Sequence, residues 1–116
     1  MTQKLVAQVV GAVLTVVGIA GFFTGGSLLG FGVNTLHNVV HLASGIAGLA
    51  LGFSNGGKNA HYFNKIFGSV YLLVAVLGFV ASDLMASLLM VNMADNLLHL
   101  VIGVVVAGVG FAAPTE

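Results

Sequence analysis

Four side chains combine the chemistry and the spacing to bind an ion or pass a proton: His37, His41, Asp95 and His99. His37 and His41 stand four residues apart, as do Asp95 and His99, and that step places two side chains on one face of a helix. Imidazole nitrogens and carboxylate oxygens are ligands for zinc and copper, so the four together offer enough donors for a divalent metal. His41 and His99 as a pair could instead ligate a haem iron or a pigment magnesium from two neighbouring helices. Histidine titrates near neutral pH and Asp95 could take its proton, which adds proton transfer to the possible chemistries.

The surroundings of the histidines are written twice. Asn38-Val39-Val40-His41-Leu42 returns as Asn96-Leu97-Leu98-His99-Leu100, and each copy reaches a glycine four residues past its histidine, at Gly45 and Gly103. Asn34, Asn38 and Asn96 complete a polar cluster around the histidines. In an apolar environment such groups hydrogen-bond across helices and fix their register, at about 0.6 kcal/mol on average. The glycines then permit the close approach that those bonds require. Helix-fixing polarity is the favoured reading, with haem, pigment or divalent-metal binding as its alternative. The His-x-x-x-His pair lacks the glutamate of a metalloprotease motif. No nucleophile, base and oxyanion site assembles, so an enzyme is not expected.

The elements that must position these residues follow from composition. Of 116 residues, 59% are hydrophobic and 5% charged, against roughly 25% charged in an ordinary soluble domain. Such a chain cannot build a polar shell. Four apolar stretches stand out instead: Leu5 to Phe23, Val33 to Phe53, Tyr62 to Ala81 and Met93 to Ala113. About 20 residues at 1.5 Å each cross a bilayer core of roughly 30 Å. The expected fold is all-α, with four transmembrane helices in a single transmembrane domain over residues 1–116. The 17 glycines suit close helix packing in lipid. Small-residue ladders (Ser44, Gly48 and Gly52; Gly103 and Ala107; Gly11 and Thr15) are expected to pack within one chain, with association between chains as the alternative. The absence of cysteine removes disulfides and thiolate metal sites. The lack of arginine and a net charge near zero remove any footprint for nucleic acid. The first apolar run is longer than the core of a secretory signal and lacks a clean cleavage site, so it reads as a retained helix.

Aligning the halves extends the duplication. Gln8 to Val13 lies against Lys65 to Val70, and Gly21-Phe22 against Gly78-Phe79. The unit is a helical hairpin, residues 1–57 and again 58–116. Two spans per unit make the copies parallel, related by a pseudo-twofold axis along the membrane normal. Such an axis brings His41 and His99 to equal depth. Lys4, Lys58 and Lys65 mark one side, and Asp83 and Asp95 the other, so both termini are expected in the cytoplasm. His61 falls at that inner boundary and is expected to be solvated. Ser54 to Ala60 reads as a plain polar turn. Leu84 to Met90 reads either as a short helix in the membrane interface or as an extension of the third span.

Val33-Asn-Thr-Leu-His37-Asn-Val-Val-His41-Leu-Ala-Ser-Gly45-Ile-Ala-Gly48, with Asp95-Asn-Leu-Leu-His99-Leu-Val-Ile-Gly103, resembles a family of small bacterial membrane proteins known as domain of unknown function 4383. The likeness extends over nearly the whole chain. It implies four helices, with this histidine pair on the second, and a bacterial inner-membrane location. That family carries no established activity. The expected role is therefore a structural or interaction subunit in contact with the lipid bilayer, with a homo-oligomer or larger membrane complex as the candidate partner.

Overall fold

In a computed structural model, which describes residues 2–115, four long helices account for most of the chain. They are α1 (Thr2–Gly21), α2 (Thr35–Phe53), α3 (Ala60–Val80) and α5 (Met93–Ala112), with a short α4 (Ser82–Leu89) before the last. Each long helix has 19 to 21 residues and is apolar enough to cross a membrane.

Burial runs opposite to that of a soluble bundle. Gln3, Ala7, Gly11, Leu14, Gly18 and Gly21 face inward on α1, while Leu5, Val9, Val13 and Val16 face out. On α5 the inward face carries Asp95, Asn96, His99, Gly103, Val106, Ala107 and Gly110, and Val101, Val104, Val105 and Phe111 are exposed. A core of small and polar groups under a surface of Val, Leu and Phe suits hydrocarbon rather than water.

The inward glycines set the pairing. α1 packs along α2, and α3 along α5. A methyl group at Gly11 would stand 2.6 Å from the Leu49 nitrogen on α2, and one at Gly45 would strike Thr15 on α1. Across the other pair, a methyl at Gly103 would stand 2.7 Å from the Leu72 nitrogen, and one at Gly68 would strike Ala107. The small-residue ladders are thus consumed by contacts within the chain. The two hairpins meet at Ala7, Ala60 and Phe63, with Phe67 stacked 4.8 Å from Phe63.

Three details depart from a plain set of spans. Ser27–Leu28 (β1) and Phe31–Gly32 (β2) form a miniature antiparallel hairpin between α1 and α2. Its turn residues, Leu29 and Gly30, both have positive φ (51° and 87°), the geometry of a type I′ turn. Leucine seldom adopts that conformation, which explains why the sequence carries no turn signal there. Second, α4 is a helix of its own, separated from α3 by Ala81 (φ −133°, ψ 51°) and ended by Met90 at φ 53°. Helix three therefore does not continue through it. Third, the connection expected as a plain turn forms a short 3-10 segment, Ser54–Gly57, with Asn55, Gly56 and Gly57 at positive φ.

Candidate functional site

Two asparagines set the register of the site. Asn34 caps α2, its Oδ1 accepting from the His37 backbone N–H at 2.8 Å. Asn92 caps α5, its Oδ1 accepting from the Asp95 N–H at 3.0 Å, while Asp95 Oδ2 accepts from the Asn92 N–H at 2.9 Å. That reciprocal pair is a capping box. His37 and Asp95 consequently occupy the third position of their helices, one turn before His41 and His99.

Each of these third-position side chains also reaches into the other hairpin. His37 Nδ1 donates to the Leu89 carbonyl at 2.9 Å, and the Gly32 N–H donates to Asp95 Oδ2 at 2.9 Å. The caps do the same: Asn34 Nδ2 donates to the Leu88 carbonyl at 2.9 Å, and Asn92 Nδ2 to that of Gly30 at 3.1 Å. Both connections at this end of the bundle are clasped by the opposite half.

Beneath the clasps lie three imidazoles. His37, His41 and His99 are 1%, 5% and 2% exposed. Their ring centroids are 4.4 Å apart for His37 and His41, 5.5 Å for His37 and His99, and 6.0 Å for His41 and His99. Each presents one ring nitrogen to the others, all within 4.8 Å. A carbonyl can only accept, so the hydrogen of His37 sits on Nδ1, and in the neutral ring Nε2 carries the lone pair. His37 Nε2, His41 Nδ1 and His99 Nδ1 are buried without a hydrogen-bond partner among the described residues. Tyr71 on α3 closes one side, its ring 5.6 Å from His99 and 6.5 Å from His41.

The remaining expected site residues separate by task. Asp95 stands outside the set of converging donors; one of its oxygens is occupied by two backbone N–H groups. Asn96 Nδ2 donates to the Gly78 carbonyl at 3.0 Å, tying α5 to α3. Asn38 packs against Gly21 on α1 of its own hairpin, where Gly21 has no room for a side chain. Asn34 is a cap rather than a partner of the imidazoles. His61 lies apart, its Nδ1 3.1 Å from the Lys58 carbonyl.

Sequence reading passed over several participants. Asn92 could have been found, because an asparagine three residues before an acidic residue at the start of an apolar run is a capping signal. Tyr71 had no such signal in an apolar stretch. At the opposite end of the bundle, Asn64 Nδ2 donates to both the backbone carbonyl and Oε1 of Gln3 at 2.9 Å, and Gln3 Nε2 donates to the Val109 carbonyl at 2.7 Å. This second buried polar knot joins α1, α3 and α5.

A buried imidazole ordinarily finds a partner for each ring nitrogen, because an unpaired polar group out of water costs about 1–3 kcal/mol. His37, His41 and His99 each have one such unpaired nitrogen, and each also offers one ring nitrogen to a set within 4.8 Å, a donor set available to a single cation. No curated protein and no solved structure matches the chain. Residues 4–112, nearly its full length, match the family described as Domain of unknown function (DUF4383), and the chain belongs to that family.

Proposed function

We propose that this protein is a multi-pass bacterial inner-membrane protein that holds one transition-metal ion between His37, His41 and His99. The observation that carries this reading is the convergence of three buried histidines, each with a ring nitrogen within 4.8 Å of the others and each with a buried ring nitrogen that lacks a partner. Spread no wider than 4.8 Å, the donors need to move by less than about 1 Å each to lie 2.0–2.1 Å from a common centre, the metal–imidazole distance. The His37–Leu89 bond is the kind of outer contact that orients a metal-ligating histidine and fixes its tautomer. A compact ion suits the site better than a haem or chlorin, because His37 occupies the space beside His41 and His99 that a macrocycle would need.

The frame around the centre reads as two parallel helical hairpins related by a pseudo-twofold axis, with both termini cytoplasmic. Support comes from contacts that recur at the repeat spacing. Gly21 meets Asn38 as Gly78 meets Asn96, and Gly52 meets Gln8 as Gly110 meets Lys65. The clasps recur in the same way: His37 to Leu89, and Gly32 to Asp95. The role is binding rather than catalysis, with the ion locking the two hairpins together as part of a structural or interaction subunit.

The test is metal content of the detergent-purified protein, stripped by chelator and reloaded separately with Zn(II), Co(II) and copper. One ion per chain is expected, absent from His41→Ala and His99→Ala. His99→Gln, which keeps a polar side chain of similar size, guards against a variant that fails to fold. A folded wild-type chain that takes up none of these ions overturns the proposal.

A further inference from the structure

Resting on the three-histidine centre proposed above, we infer that its ion is Cu(I), a soft monovalent cation, captured at the membrane surface by Met90. The donor set is the first argument. Zinc in closed protein sites is almost always four-coordinate. Here the chain has no cysteine, the converging set among the described residues ends at three imidazoles, and Asp95 Oδ2 is held by the N–H groups of Gly32 and Asn92. Three neutral donors satisfy Cu(I), a d¹⁰ ion that accepts two or three ligands.

Charge is the second. With neutral imidazoles, the centre carries the full charge of its ion, and the cost of burying an ion in low dielectric grows with the square of that charge. A monovalent ion therefore costs about a quarter as much to bury there as a divalent one.

The third concerns the route. Three of the four methionines, Met85, Met90 and Met93, fall on the segment that covers the triad, whose Leu89 carbonyl holds His37. Thioether is a soft ligand that selects Cu(I). Met90 is 45% exposed and lines a cavity of about 260 Å³ with Gly26, Asn34 and Asn38. The imidazoles do not line this cavity; the link to the triad is through the backbone, because Met90 directly follows Leu89, whose carbonyl holds His37.

Anaerobic titration of the apoprotein in detergent tests this. Cu(I) supplied as its coloured bicinchoninate complex, under ascorbate, is expected to transfer one ion per chain, and to displace Zn(II) with an affinity roughly tenfold higher or more. Met90→Leu is expected to keep that stoichiometry and slow transfer several-fold. Stoichiometric Zn(II) that Cu(I) does not displace overturns this inference while the metal centre stands; uptake of neither ion overturns both. Transfer to Met90→Leu at the wild-type rate overturns the capture step, and loss of stoichiometry in that variant does so too, by making Met90 part of the resting site.

Discussion

His37 Nδ1 and the Leu89 carbonyl, 2.9 Å apart, join the first turn of α2 to the last residue of α4. This bond closes the short helix over the triad. His37→Ala is expected to cost about 1–3 kcal/mol, from the lost hydrogen bond and the void left behind. Amide hydrogen exchange in detergent locates the effect: residues 82–91 lose protection, whereas the middle of α3 keeps it. Unchanged protection over 82–91 contradicts the clasp.

Asp95 is expected to act as a cap and not as a ligand. Asp95→Ala removes the acceptor for the Gly32 and Asn92 N–H groups, and lowers thermal stability in detergent by about 1–3 kcal/mol. Asp95→Asn, which retains one acceptor oxygen, is expected to lose less. Stoichiometry of the loaded ion stays unchanged in both. A variant that folds normally and loses its ion places Asp95 in the coordination sphere after all.

Glycines divide into two kinds that a stability scan should separate. At Gly11 and Gly110 an added methyl would stand 2.6 Å from backbone atoms of the neighbouring helix. Backbone cannot step aside, so Gly11→Ala and Gly110→Ala are expected to destabilise by about 1–3 kcal/mol. Gly108 has nothing within 4 Å. Gly108→Ala gains helix propensity and is expected to be neutral or stabilising, by at most about 1 kcal/mol. Equal losses at all three positions would contradict this packing.

The knot at the far end makes a separate claim. Gln3 and Asn64 share two hydrogen bonds and are both buried. A double-mutant cycle with Gln3→Leu and Asn64→Leu is expected to give a coupling energy of about 0.6–1.7 kcal/mol, the range found for polar pairs between membrane helices. Additive losses would show that the two side chains act independently.

The spans were readable because hydrocarbon leaves a chain few choices, and the helix ends fell within a few residues of the apolar runs. The halves of the polar motif were readable too, since polarity is sparse enough for each instance to stand out. Less accessible was the assignment of partners. Asn34, Asn38 and Asn96 look alike in the sequence, yet one caps a helix, one packs on Gly21 and one bonds the Gly78 carbonyl. That division depends on where another helix passes, which spacing along a single helix does not encode. Leu29 at positive φ was hidden for a different reason: it is a conformation that leucine seldom adopts, so the residue type gives no signal for it. Gln3 and Asn64 lie 61 residues apart at the ends of apolar runs, where polar side chains ordinarily meet water.

The two reciprocal clasps differ in one respect: a histidine makes one and an aspartate receives the other. On the duplicated-hairpin reading, these residues occupy corresponding places in the two copies. A homodimer of separate hairpins would be obliged to carry the same residue at both, giving either a fourth imidazole or a second carboxylate beside the centre. A single chain carrying both copies is free to write them differently. On that reading, one chain carrying both copies can hold an odd number of imidazoles and a single acidic neighbour, a composition that twofold symmetry between identical subunits forbids.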